Sequence, residues 1–169
     1  MKKLLVLFVT LSVSVLAAQE SVLLRLNYEK GATYGTTMII KQEMGTVMSM
    51  EMNIGVEALI TDVKEDSYEC KMSFSRMTMD MLQGGTAISY DSKKSDDELD
   101  ATGKMMKKQM APMLKAVMFA KGNNRGEIKE MKIEPNVPGM EDMISNSSQV
   151  VYPEEVVTVG SSWTMERDE

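Results

Sequence analysis

The chain has 169 residues and a formal net charge of −6, and 43% of its residues are hydrophobic. This length accommodates one domain with a substantial core, and the composition is typical of a globular protein. The acidic balance argues against nucleic acid as a partner, because a negative surface repels phosphate backbones. The sequence contains no histidine, which excludes a Ser-His catalytic pair and the ordinary zinc sites. We therefore expect neither an enzyme nor a cofactor.

Residues 1–18 have the pattern of a secretory signal peptide. Lysines at positions 2 and 3 precede an apolar run over 4–15, and small residues at 17 and 18 offer a cleavage site. The apolar run falls below the roughly 18 residues that a membrane span needs. The sequence therefore predicts an exported protein, periplasmic or extracellular. Residues 19–169 are expected to form a single β-rich domain without a transmembrane segment.

The first predicted elements are strands. Alternating apolar residues in 22–28, a turn at 29–31 and an extended stretch over 33–44 predict a hairpin. The strongest signal follows at 48–60, where every second residue is apolar. A strand of that length is expected to bend, and Gly55 is the natural place for the bend.

A partner strand is predicted after a loop near Asp66. Its apolar residues occupy even positions as far as Phe74 and odd positions from Met77 onward. This change of parity would turn half of the strand toward solvent unless one extra residue is inserted. We therefore predict a β-bulge near Ser75 and Arg76.

The position of that loop also predicts which residues of the two strands face each other. With the loop centred on Asp66, the facing pairs are Ile60 with Met72, Ala58 with Phe74, Val56 with Met77, Ile54 with Met79 and Met52 with Met81. All these pairs are apolar and lie on one face.

One principal helix is predicted over 95–111. Ser95 and Glu98 have the spacing of a capping box, and Pro112 is expected to end the helix.

The rest of the chain is predicted to be mainly extended. A hairpin is expected around Gly122, and a short second helix is expected from Pro138 to about Asn146. The predicted fold class is mainly β, with a curved antiparallel sheet, an open half-barrel, one principal α-helix and a short second helix.

Two short motifs carry a resemblance to a known family. They are K-G-x-x-Y at Lys30, Gly31 and Tyr34, and P-x-x-x-V-x-V-G-x-x-W at Pro153, Val157, Val159, Gly160 and Trp163. With the signal peptide, they resemble a family of secreted bacterial proteins of unknown function. By analogy, the resemblance implies the architecture of lipoprotein carriers, in which an open half-barrel wraps over a helix. Members of the family continue past the tryptophan, so the resemblance also implies that this chain is truncated.

The remaining chemical signal is a high content of methionine, with 19 in the chain. Two M-x-M-x-M runs occur, at 48–52 and at 77–81. Methionine surfaces adapt to varied apolar shapes, which favours a hydrophobic small molecule or lipid as the ligand. The expected lining residues are Met50, Met52, Ile54, Met79, Met81 and Met106.

Two alternatives to a hydrophobic ligand remain open. The thioethers of Met50, Met52, Met79 and Met81 are soft ligands suited to reduced copper. The same side chains could instead form the core of a structural or protein-interaction module. We expect the helix to cover these methionines, which favours a core over a metal site.

Overall fold

The computed structural model describes residues 21–45, 47–140, 144 and 150–164. Within these residues, six strands form one open antiparallel sheet accompanied by one α-helix and one 3-10 turn. The strands are β1 (Thr33–Met44), β2 (Met48–Lys64), β3 (Ser67–Gln83), β4 (Thr86–Asp91), β5 (Val117–Asn123) and β6 (Ile128–Glu134). The 3-10 turn is Asp96–Glu98 and the helix, α1, is Ala101–Lys115. The mainly β fold class is confirmed, while the predicted signal peptide and most of the predicted second helix lie outside the described residues.

The sheet is built around the long strand β3. The strand order is β1-β2-β3-β5-β6, and β4 also pairs with β3. Since β2 occupies one edge of β3, the other edge is shared, with β5 along Ser67–Ser73 and β4 along Thr78–Gln83. The helix connects β4 to β5 and lies over β3 and β4. We call the side of the sheet that carries α1 the helix face.

The bulge predicted between β2 and β3 is confirmed. Gly55 faces Arg76 and Val56 faces Phe74, so Ser75 has no opposite residue. The extra residue keeps the apolar side chains of both halves of β3 on the helix face, as the change of parity requires.

The predicted register of this hairpin is wrong by two residues, and by three at Val56. The observed facing pairs are Ile60 with Cys70, Ala58 with Met72, Val56 with Phe74, Ile54 with Met77 and Met52 with Met79. The turn contains two residues, since Lys64 faces Ser67, and it is therefore not centred on Asp66. A further irregularity between Ile60 and Asp62 shifts the pairing again.

The predicted hairpin between 22–28 and β1 is wrong. Val22 forms an isolated antiparallel bridge with Val157, and β1 pairs along its length with β2. The ring of Tyr28 packs edge-on against the ring of Tyr68, with centroids 4.7 Å apart. The alternation in 22–28 therefore does not specify pairing with the following strand. Tyr28 packs on the sheet, whereas Val22 is 52% exposed.

The helix begins later than predicted. Ser95 and Glu98 do form the capping box, since the Ser95 N–H donates to the Glu98 carboxylate at 2.9 Å. This box caps the 3-10 turn, of which Glu98 is the last residue, and not the α-helix. The α-helix starts at Ala101, where the side chain of Asp100 accepts a hydrogen bond from the N–H of Gly103 at 2.7 Å. The acidic residue next to the helix start is thus the actual N-cap.

The helix also continues past Pro112, which was expected to end it, as far as Lys115. Proline inside a helix removes a backbone hydrogen bond. Met113 and Leu114, which follow it, both pack against the buried core. Their burial offsets the lost bond in this last turn.

The predicted hairpin near Gly122 is confirmed as β5 and β6. Strand β4 was not predicted, although a Gly-Gly pair precedes it. Gly84 and Gly85 have φ angles of +56° and +81°, and Gln83 faces Thr86 across them. Such a two-residue turn favours glycine because both positions need positive φ.

Candidate functional site

The methionine-rich part of the helix face lies largely beneath α1. The buried residues of this cluster are Ile54, Met77, Met79, Tyr90 and Leu99. Partly buried side chains from the sheet and the helix surround them: Met50, Met52, Val56, Phe74, Met106, Met110, Met113 and Leu114. We call the whole group the methionine cluster.

The structure brings the predicted ligand residues together on one face. Met50 faces Met81 and Met52 faces Met79 across the β2–β3 pairing. Of these four residues, Met79 is 5% exposed and the others are half-buried. The expectation that the helix covers the methionines therefore holds fully for Met79 and in part for the rest.

The two other predicted residues belong to the same cluster. Ile54 is 4% exposed, and Met106 of α1 packs on the buried group. Ile54 is thus a core residue, and a ligand could reach it only if the helix moved away from the sheet.

The apolar surface extends beyond the helix onto β1, and sequence reasoning did not identify this part. Every residue of β1 is exposed. Met38, Ile40 and Met44 lie on the helix face and are 42%, 39% and 57% exposed. Ile40 directly faces Met52 of β2. We call Met38, Ile40 and Met44 the apolar strip. It adjoins the methionine cluster, and Gln42 lies between Ile40 and Met44 on the same face.

Tyr90 introduces a polar atom into the methionine cluster. Its side chain is 2% exposed, and β4 places it opposite Met79. Among the buried side-chain polar atoms that the structure describes, the Tyr90 hydroxyl lacks a hydrogen-bond partner. Burial raises the pKa of this phenol above its usual value of 10.0, so the hydroxyl remains a hydrogen-bond donor beyond that pH. An unpaired buried hydroxyl costs about 1 to 3 kcal/mol.

We call the opposite face of the sheet the polar face. It carries charged strand residues together with exposed apolar side chains such as Ile39, Leu59 and Phe119.

An open cleft of about 540 Å³ lies where β2, β3 and β4 meet, and residues of both faces line it. Its charged lining residues include Lys41, Glu43, Glu51 and Asp80, and Met50 and Met81 of the predicted site also line it. Lys41 pairs with Glu51 at 2.9 Å, and a hydrogen bond from this lysine lowers the pKa of the Glu51 carboxyl. In the part of the chain that is described, no group of three His, Cys, Asp or Glu side chains could hold a metal ion.

The K-G-x-x-Y motif makes structural contacts. Gly31 has a φ of +85°, and its N–H donates to the carbonyl of Ile60 at 2.9 Å. Lys30 forms an ion pair with Asp62 at 2.8 Å. These contacts fasten the start of β1 to β2, so the motif positions the edge of the sheet.

The second motif lies beside the β5–β6 turn. The side chain of Arg125 donates to the carbonyl of Tyr152 at 3.0 Å, and Arg25 donates to the carbonyl of Pro153 at 2.8 Å. The indole N–H of Trp163 donates to the carbonyl of Val151 at 2.9 Å. This motif also has a structural role, since its contacts hold an extended segment against the sheet.

Comparison with protein-family models, with curated proteins and with solved structures found no match. The resemblance to the secreted family therefore stays a prediction. In the described ranges, no helix is long and apolar enough to cross a membrane.

Proposed function

We propose that this protein is an exported, non-enzymatic domain that binds a hydrophobic molecule, most simply a lipid, on the helix face of its sheet. The observation that supports this proposal is the apolar strip. Met38 and Ile40 are about two-fifths exposed beside the half-buried Met52, so the apolar surface extends past the edge of the helix. Covering such surface with an acyl chain is favourable by about 25 cal/mol per Å².

Methionine suits this task because its unbranched thioether side chain repacks around different shapes. Met50 and Met52 lie between the strip and the buried part of the cluster. A ligand on the strip would contact them first, and movement of α1 would open the way to Ile54 and Met79.

The Tyr90 hydroxyl suggests that the ligand also carries a polar group. A lipid whose polar group accepted a hydrogen bond from this buried phenol would satisfy an atom that otherwise lacks a partner. Replacement of Tyr90 by Phe should then stabilise the free protein and weaken lipid binding. A loss of stability together with unchanged binding would remove Tyr90 from the site.

The main test is a titration of the purified, delipidated protein with a fluorescent fatty acid. Ile40→Asp places a charge in the apolar strip, and Leu59→Asp is a matched control because both side chains are 39% exposed and lie on opposite faces. We expect Ile40→Asp to weaken binding at least tenfold and Leu59→Asp to leave it unchanged. Equal affinities of the two variants would contradict the proposed site.

Reduced copper is a second candidate ligand. The strand register supports it, whereas the burial of Met79 opposes it. The pairs Met50–Met81 and Met52–Met79 place four thioethers on neighbouring positions of one face. Burial of Met79 beneath the helix opposes metal entry. We therefore expect no micromolar binding of reduced copper. Such binding, if lost in a folded Met52→Leu, Met79→Leu, Met81→Leu variant, would make copper the better assignment.

A further inference from the structure

Strand β1 forms an open edge of the sheet. It runs over Thr33–Met44 and pairs with β2 on one side, and no other strand in the described part of the chain pairs with it. Among the described residues, no strand pairs with its outward backbone N–H and C=O groups, which another strand can therefore bind. Long edge strands with exposed apolar side chains readily pair with further chains. Ile39, on the polar face, is 57% exposed and extends the apolar character of this edge to both faces.

We propose that a second copy of this chain pairs with β1 in antiparallel fashion about a two-fold axis at Ile39. The facing residues of the two copies are then Ile39 with Ile39, Met38 with Ile40, Thr37 with Lys41, Thr36 with Gln42, Gly35 with Glu43 and Tyr34 with Met44. In this register the exposed apolar side chains of β1 face one another on both sides of the sheet.

Charge and polarity select this register over its neighbours. An axis at Lys41 would place two lysines face to face, which is destabilising. An axis at Met38 would place Ile39 opposite Thr37, and an axis at Ile40 would place Ile39 opposite Lys41. Both registers break the apolar pairing. The axis at Ile39 places Lys41 opposite Thr37 and Glu43 opposite Gly35, so no like charges face each other.

The symmetry also decides how the two sheets join. In a two-fold antiparallel pair, facing residues point to the same side, so the helix faces of both copies lie on one side of a continuous sheet. The two apolar strips then lie next to each other between the two α1 helices. The dimer does not depend on the proposed function, because the strands pair through their backbones with or without a ligand.

The first test is sedimentation equilibrium of the full chain at about 100 μM, where a dimer with a micromolar Kd is mostly assembled. Ile39→Lys would bring two lysines together at the axis. Phe119→Lys is the control, since Phe119 lies on β5, is 41% exposed and shares the polar face of the sheet with Ile39. We expect a dimer for the parent and for Phe119→Lys, and a Kd at least tenfold higher for Ile39→Lys. A monomeric parent chain would overturn the proposal.

The second test reads the register by disulfide formation under mild oxidation. Facing Cα atoms in antiparallel strands are about 4.5 to 5.5 Å apart, within the range of a disulfide. Ile39→Cys should therefore crosslink with itself, and Thr37→Cys should crosslink with Lys41→Cys but not with itself. The parent chain, whose Cys70 is buried, should stay uncrosslinked. Crosslinking of Ile39→Cys no faster than that of Phe119→Cys would refute the pairing.

Discussion

Truncation of Met79 tests whether the methionine cluster is a packed core. Met79 is 5% exposed and lies between Met52 of β2 and Tyr90 of β4. Buried Met-to-Ala changes cost about 2 to 5 kcal/mol through lost burial and the cavity left behind. Because the neighbouring methionine can partly fill the space, we expect Met79→Ala to lower the free energy of unfolding by about 2 to 4 kcal/mol.

Met38 provides the matched comparison on the same face. It is 42% exposed and lies outside the buried group, so Met38→Ala should cost only about 0.5 kcal/mol. Met52 is half-buried, and Met52→Ala should fall between the two values. The assay is urea unfolding followed by far-UV circular dichroism, with linear extrapolation to water. Equal losses for Met79→Ala and Met38→Ala would refute the distinction between a covered core and an exposed strip.

Three further predictions concern the scaffold, and each is measured by denaturant unfolding. Gly122→Ala should cost about 1 to 3 kcal/mol of unfolding free energy, because the new Cβ would lie 2.7 Å from the Tyr68 hydroxyl oxygen. Gly35→Ala is the control, since its Cβ meets no atom within 4 Å and the change should be tolerated. Similar losses for both variants would contradict this steric account. Asp100→Ala should lower the free energy of unfolding by about 1 kcal/mol through loss of the N-cap, and Ser95→Ala should lower it by less than half as much. The reverse order would place the functional cap at Ser95. Burial, followed by the nearby Tyr28 and Cys70, raises the pKa of Tyr68 from 10.0 to about 12. The contribution of the neutral Tyr68 side chain to the free energy of unfolding is therefore fully present below pH 10 and is lost as pH rises toward 12. Tyr68→Phe should flatten this pH dependence, and an unchanged slope would rule out the assignment to Tyr68.

Local periodicity predicted strands β2 and β3 and the bulge between them. Alternation within β2 and the change of parity in β3 depend on which side chains are buried, and those are properties of the residues themselves. The bulge at Ser75 could be predicted because a single inserted residue leaves a visible change in the apolar pattern. The facing pairs could not be predicted, because they depend on turn length and on the irregularity after Ile60, which leaves no comparable signal.

The candidate site was predicted only in part for a related reason. Sequence alternation indicates that Met50, Met52 and Met79 share a face, but it cannot say where a helix will lie across that face. The position of α1 decides that Met79 is buried while Met38 is exposed. Tyr90 was missed because the short strand β4 was missed, although Gly84-Gly85 would have indicated its turn.

The central claim is that the helix face binds a hydrophobic molecule. The most direct measurement is native mass spectrometry of the protein purified from its native cells, from the compartment to which we propose that it is exported. We predict an adduct with the mass of a lipid, present in the parent chain and in Leu59→Asp and strongly reduced in Ile40→Asp. A copper-sized adduct, or an unliganded mass for all three proteins, would contradict the claim.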